Sequence, residues 1–205
     1  MAITKPASNG KVQSVNGRER ELLDLIAGAH KSDLSRDSPL HKLLTLVIHN
    51  PADALFVAYN DEALKMTYLN YSIAWHAAYH AEASLVMLEK PEIMVLNGVA
   101  HRVAKHEGAA QILASDKAHE QILKLYSQTQ TPAYAPDYKA VAHVIAENYP
   151  ELAWENFKNR PHILNLKNGM GTAVLSIIEV AARNPHIGNE VIAAEIAAFK
   201  VSKRA

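Results

Sequence analysis

The chain has 205 residues, of which 49% are hydrophobic and 20% charged, the balance of a globular protein that can bury a core. Its 21 basic and 21 acidic residues cancel to zero net charge, so the basic excess typical of nucleic-acid-binding proteins is missing. The sequence contains no cysteine, which excludes disulfides, thiolate nucleophiles and cysteine-based zinc sites. We therefore expect no nucleic-acid partner.

The first part of the chain predicts no packed structure. Residues 1–17 are rich in Ser, Asn, Gly and Lys without periodicity, which predicts a flexible tail before a single domain over residues 18–205. The start lacks the apolar region of a secretory signal, and no later stretch approaches about 18 uninterrupted apolar residues. We expect a soluble, cytoplasmic chain with no membrane span. Export by a non-Sec route, as for some bacterial effectors, is the alternative left open.

From Arg18 onward the apolar residues recur with a period near 3.6, and alternating stretches typical of strands are essentially absent. The first apolar stripe runs from Leu22 to Ile26. Ser38 precedes Pro39 and an apolar run, the pattern of a helix N-cap followed by proline in the first turn. Pro, Asn and Gly punctuate the rest into helices of about 8–18 residues, which predicts an all-α fold of short antiparallel pairs.

The sequence repeats itself. VAHRVAK at residues 99–105 returns as VAHVIAE at residues 141–147, and KPEIMVLNG at residues 90–98 resembles RPHILNLKNG at 160–169. Weaker copies complete five units that start near residues 44, 73, 99, 141 and 173, with an insertion at residues 127–139. Because a single helix pair cannot bury its own apolar face, a period of this size predicts an α-solenoid of about five irregular helix-pair repeats.

The last unit carries a family resemblance. VAARNPHIGNEVIAAEIA, within residues 180–197, resembles the leucine-rich-repeat-variant unit, whose core runs V-A-x-N-P followed by a turn and a helix that begins with Glu. The general pattern over about residues 40–200 is similar to HEAT-type repeats. The iron–sulfur cysteines of some leucine-rich-repeat-variant proteins are missing, and the periods are irregular. The resemblance implies a curved helical scaffold and does not supply an activity.

His76 and His80 are the sharpest candidate for a metal site. If one helix carries both, residues four apart leave the same face, which is the spacing of zinc and iron ligands. The HExxH sequence of metalloproteases is missing. The alternative is that Trp75, His76, Tyr79 and His80 form an amphipathic aromatic face, which we favour because an isolated histidine pair has low specificity.

Two His-Glu pairs, His106-Glu107 and His119-Glu120, extend the metal hypothesis. The first resembles the His-Glu step of HEAT-like di-iron hydroxylases, whose site needs about four matched pairs, whereas only two are present here. A carboxylate and an imidazole could still clamp a single ion. Adjacent helical residues diverge by about 100°, so solvated side chains are the favoured interpretation. Together with His76 and His80, these pairs define a competing hypothesis of a metal-dependent enzyme in the repeat groove.

The histidines of the duplicated heptad, His101 and His143, are expected at the border of an apolar face. In both copies the small Val and Ala residues share that face. A ring at the edge of a stacked helix can donate to a neighbouring carbonyl while partly buried. We therefore interpret both histidines as structural rather than as ligands.

Aromatic residues with polar tips exceed what a small helical core needs, and such residues are typical interface anchors. This predicts a scaffold that binds a protein or peptide on its concave face, with no catalysis and no cofactor. A third hypothesis, a HEAT-like DNA-repair glycosylase, would need a basic concave face, and the neutral net charge argues against it. The apolar C-terminal helix could mediate homo-oligomer formation. The predicted partner-binding residues are Trp75, Tyr79, Tyr134, Tyr138 and Trp154.

Overall fold

The computed structural model describes residues 17–29, 35–115 and 138–203. Within these residues the chain forms fourteen helices and one two-stranded hairpin, so the all-α prediction is confirmed at the level of fold class. The predicted tail, apart from Gly17, and most of the predicted insertion lie outside the described residues. The helices are α1 (Gly17–Ala29), α2 (Pro39–His49), α3 (Pro51–Ala58), α4 (Asp61–Lys65), α5 (Ile73–Ala77), α6 (Ala81–Met87), α7 (Pro91–Met94), α8 (Val99–Val103), α9 (Glu107–Leu113), α10 (Tyr138–Asn148), α11 (Pro150–Phe157), α12 (Pro161–Leu164), α13 (Val174–Ala182) and α14 (Glu190–Ser202).

Several helices are shorter than the predicted 8–18 residues. Helices α5 and α8 have five residues each, and α7 and α12 have four. The chain turns after α5 and after α8 without Pro or Gly, so the Ala-rich texture gave no signal of a break. None of the helices described is long and apolar enough to cross a membrane.

Polar side chains set where the helices begin. Ser38 accepts a hydrogen bond from the backbone N–H of His41 at the start of α2, which confirms the predicted N-cap. Ser72 caps α5 in the same way by accepting from Trp75. Asn50, Asn60 and Asn189 cap α3, α4 and α14. Each cap satisfies a backbone donor that has no partner inside the helix.

The hairpin joins α4 to α5. Strand β1 (Thr67–Tyr68) pairs antiparallel with β2 (Tyr71–Ser72), and Leu69 in the turn adopts a φ of 55°. The connection between α12 and α13 closes in a related way, with a bridge between Lys167 and Ala173. These short antiparallel contacts bring the chain back to start another helix.

The helices can be grouped according to the five units that the sequence predicts. The first helices of the units are α2, α5, α8, α10 and α13, and each packs against the next in this order. Among the second helices, α3 packs on α6, α6 on α9, and α11 on α14, while the short third helices α4 and α7 also touch. Alanines with no exposed surface line these contacts and let the helices approach closely, among them Ala54, Ala58, Ala83, Ala109 and Ala110.

Helix α1 covers the outer side of the first unit. Its residues Leu22, Ile26 and Ala29 are buried, and the helix packs on α2 and α3. The Arg18 guanidinium pairs with the Asp53 carboxylate of α3, which is only 2% exposed. The ion pair satisfies a carboxylate that would otherwise be buried without a partner.

A side chain placed just before a second helix bonds back to the preceding unit. Nε2 of His80 lies 2.9 Å from the Val47 carbonyl oxygen, and Nε2 of His106 lies 2.9 Å from that of Ala78. The Tyr149 hydroxyl donates to the Lys105 carbonyl. All three carbonyls belong to the end of a first helix, where backbone acceptors lack helical partners. Because carbonyls only accept, Nε2 of each histidine carries the proton.

Candidate functional site

Three aromatic rings form a continuous stack near the start of the second unit. The ring of Tyr71 lies 4.3 Å from that of Trp75 between centroids, tilted by 30°. The ring of Tyr79 meets Trp75 edge-on at 5.3 Å. Tyr71 and Tyr79 are 42% and 45% exposed, and Trp75 is partly buried. These rings therefore present aromatic surface to the outside of the molecule.

Local structure fixes the position of Trp75. The Ser72 cap holds the start of α5, and β2 places Tyr71 one turn before Trp75. Gly98 lies against the indole with a φ of 71°, which favours glycine. A Cβ at this position would lie 2.9 Å from Nε1 of Trp75, closer than side chains tolerate. The chain thus uses Gly98 both for the turn into α8 and for the close approach to Trp75.

Arg102 of α8 completes the stack. Its Cζ lies 4.4 Å from the Trp75 ring centroid and 3.8 Å from that of Tyr79, so both rings hold the guanidinium. Cation–π contacts of this kind contribute about 0.5–2 kcal/mol each, more where water is excluded. They also link the second unit to the third. We call Tyr71, Trp75, Tyr79 and Arg102 the Trp75 surface.

The polar tips of the Trp75 surface have no partner within the described part of the chain. Neither phenol hydroxyl nor the Trp75 indole N–H makes a hydrogen bond there, and no carboxylate in residues 17–29, 35–115 or 138–203 pairs with Arg102. Nε of Arg102 is buried without a hydrogen-bond partner, whereas its two terminal nitrogens are not buried. The surface therefore exposes donors that the fold does not use.

His76 lies beside this surface as a neutral ring. It meets Trp75 edge-on at 4.8 Å, and its Nδ1 is buried without a hydrogen-bond partner. Burial, and after it the positive charge of Arg102, lowers the pKa of His76 to about 4. At neutral pH, His76 therefore adds no charge of its own next to the guanidinium.

The structure does not give His76 and His80 a shared helix face. Helix α5 ends at Ala77, and His80 adopts an extended conformation before α6. The Nε2 atom of His80 contacts the carbonyls of Val47 and Ile48, at 2.9 and 3.1 Å. No cluster of three or more His, Asp or Glu side chains suited to a metal occurs among the described residues. The proposed pair thus lacks the geometry that suggested it.

The structure also gives the contacts and the burial of the first His-Glu pair and of the repeated histidines. His106 bonds to the Ala78 carbonyl, and Glu107 is exposed at the start of α9. His119 and Glu120 lie outside the described residues. His101 is partly buried and His143 buried, so the two rings are not equally accessible. Burial, followed by the charges of Lys105 and Arg102, lowers the pKa of His101.

Trp154, predicted to bind a partner, is a core residue in the structure. It is 3% exposed, and its indole N–H donates to the Glu195 carboxylate at 2.8 Å. Phe199 of α14 packs edge-on against it at 5.4 Å. Helix α14 therefore covers this ring. Tyr134 lies outside the described residues, as does the side chain of Tyr138 at the start of α10.

A second surface region differs in how its charges are used. A groove of about 460 Å³ near the C-terminal helix is lined by Pro161, Leu164, Leu175, Phe199, Lys200 and Lys203, among others. Lys200 pairs with Glu179 at 2.6 Å, and Lys203 lies over the Phe199 ring. Lys200 is therefore already paired with a carboxylate, in contrast to Arg102, whereas Lys203 lies over an aromatic ring as Arg102 does.

Sequence reasoning named Trp75 and Tyr79 as candidate partner-binding residues and did not single out Arg102 or Gly98. The repeat alignment contained a usable signal, because superposing residues 73–80 on residues 99–106 places Arg102 at the position of His76 on the neighbouring first helix. Equivalent positions of adjacent units lie side by side in stacked repeats. Comparison with protein-family models, curated protein sequences and solved structures gave no match. The site is therefore interpreted from its own geometry.

Proposed function

We propose that this protein is a helical-repeat scaffold, an α-solenoid of five units, that binds a peptide segment of a partner protein at the Trp75 surface. Support for the solenoid comes from the successive packing of the first helices α2, α5, α8, α10 and α13. The recurring bonds from His80, His106 and Tyr149 to the preceding unit add a second, independent regularity. Each unit contributes one step of a continuous array.

The observation that carries the binding proposal is the Arg102 guanidinium held between Trp75 and Tyr79, with no partner for the polar tips in the part of the chain that the structure describes. Tyr, Trp and Arg are the residues most often found as energetic hot spots of protein interfaces. Rings that are already stacked lose little conformational freedom when a partner packs on them. The scaffold hypothesis accordingly needs no chemical step and no metal.

Selection of displayed random peptides on the purified chain tests this function. We expect enriched peptides whose affinity falls at least ten-fold in Trp75→Ala, since truncating a hot-spot residue costs about 2 kcal/mol or more. Tyr59→Ala is the matched control because Tyr59 is 55% exposed and lies outside the surface. Circular dichroism confirms that each variant folds. Enriched peptides that bind Trp75→Ala as well as the parent chain would contradict the proposal.

A further inference from the structure

We propose that the partner segment places a carboxylate on the Arg102 guanidinium. This inference rests on the proposed peptide-binding function and specifies the chemistry that the Trp75 surface recognises. The carboxylate would come from an Asp or Glu side chain or from a chain terminus of the partner, and the neighbouring residues of the segment would pack on the rings of Tyr71, Trp75 and Tyr79.

The guanidinium is held in a way that favours one direction of approach. Trp75 and Tyr79 hold it, with ring centroids 4.4 and 3.8 Å from Cζ. Its Nε is buried, and its two terminal nitrogens are not. A ligand that reaches the donors must therefore come to the edge formed by those terminal nitrogens. Two parallel N–H groups at one edge match the two oxygens of a carboxylate.

The charge of Arg102 is uncompensated within the described residues. Other arginines of the chain do pair with carboxylates: Arg183 pairs with Glu179 at 2.9 Å, and Arg18 pairs with Asp53. Arg102 lies on the faces of Trp75 and Tyr79 and has no carboxylate partner among residues 17–29, 35–115 and 138–203. An anion supplied by a partner would therefore gain a charge-assisted hydrogen bond without displacing an existing ion pair.

The charge of Arg102 fits a monoanion. The guanidinium carries one positive charge, and the neighbouring His76 ring is neutral at neutral pH because its pKa is about 4. A carboxylate would balance that charge, whereas a phosphate dianion would leave one negative charge in excess.

The test uses benzoate as the probe, because it combines a carboxylate with a ring that can lie on the aromatic faces. Side-chain ¹H–¹⁵N spectra of the full chain report the Nε–Hε signal of Arg102 and the indole N–H signal of Trp75. We expect both to shift saturably, with half-saturation at roughly 1–10 mM for so small a ligand. The signal of Arg183 serves as the internal control and should not follow the same curve.

Matched compounds and variants isolate the carboxylate. Benzamide keeps the shape without the charge and should bind at least about ten-fold more weakly. Arg102→Lys keeps the charge, loses the planar pair of donors and should weaken benzoate to a similar extent. An unchanged thermal melt of Arg102→Lys would show that the fold is intact. If Arg102→Lys melts early, the benzoate and benzamide comparison on the parent chain decides alone.

Four outcomes overturn the inference. They are the absence of a saturable shift with benzoate, equal binding of benzamide, tighter binding of phenyl phosphate than of benzoate, and a parallel shift of Arg183. These results leave the peptide-binding function standing, because that function is judged by selected peptides and Trp75→Ala. Conversely, selected peptides whose acidic residues can all become Asn or Gln without loss of affinity contradict the carboxylate alone.

Discussion

Trp75 and Trp154 both lie on short helices, α5 and α11, but their indole N–H groups differ in hydrogen bonding. Trp154 donates to Glu195, packs on Phe199 and is 3% exposed. Trp75 makes no hydrogen bond through its indole within the described chain and shares its faces with Tyr71 and Arg102. The difference shows that two tryptophans of one chain can differ in whether the described fold pairs the indole N–H, which the residue type alone does not indicate.

Of the variants that test this difference, Trp154→Ala is expected to lower the free energy of unfolding the most. Trp154→Ala should lower the free energy of unfolding by about 3–5 kcal/mol, because it leaves a cavity under α14 and the Glu195 carboxylate without its donor. Trp75→Ala should cost only about 1–2 kcal/mol, since its ring is partly exposed. Urea denaturation measures both. Equal losses would show that Trp75 is as much a core residue as Trp154.

Three glycine variants test how rigidly Trp75 is held. Gly98→Ala should destabilise the chain by about 1–3 kcal/mol, because φ is 71° and the added Cβ meets the Trp75 indole at 2.9 Å. Gly171→Ala has a φ of 80° and open space around its Cβ, so it measures backbone strain alone and should cost less. Gly169→Ala has neither feature and should change stability by less than about 0.5 kcal/mol.

The order of these three glycine variants is the informative result. If Gly98→Ala costs no more than Gly171→Ala, the indole moves aside freely and the stack is not rigid. Gly98→Ala should also weaken peptide binding, because it displaces Trp75, whereas Gly171→Ala should not. Denaturation and peptide titration of the same three proteins give both answers.

The sequence predicted the helical class and the cap at Ser38 because both depend on local residue patterns. The small apolar residues of the duplicated heptads are core residues in both copies, since Val99, Ala100, Val141 and Ala142 are all fully buried. What it could not predict depends on contacts between units. Equivalent periodicity does not distinguish a ring that a later helix covers from one left open, and for this reason the sequence did not indicate that Trp154 is buried under α14.

The histidines show the same limit at shorter range. HAAYHAE has the composition of a continuous helix, and four-residue spacing then implies a shared face. The chain instead ends α5 at Ala77 and uses His80 to satisfy carbonyls of the preceding unit. The carbonyls that His80 contacts belong to α2, about 30 residues earlier in the sequence, and nothing in the heptapeptide indicates this contact. Arg102 escaped notice for the same reason, as its importance comes from rings on another helix.

The last prediction is a pH dependence that originates next to the Trp75 surface. The pKa of His76 is about 4 in the folded chain and near 6.5 in an unfolded one, so below pH 6.5 the unfolded state binds a proton that the folded state does not. Stability linked to His76 is therefore complete above pH 6.5 and decreases as the pH falls towards 4. NMR titration of the ring protons, assigned with His76→Gln, measures the folded pKa directly.

Arg102→Ala separates the two causes of this shift. Burial is the larger cause, and the charge of Arg102 is the second, so removing the charge should raise the pKa of His76 while leaving it below 6.5. A carboxylate bound to Arg102 should act in the same direction, because it cancels the same positive charge. Benzoate should consequently raise the pKa of His76 in the parent chain and leave it unchanged in Arg102→Ala. A pKa near 6.5 in the parent chain would mean that the ring is solvated and that His76 does not report on the guanidinium at all.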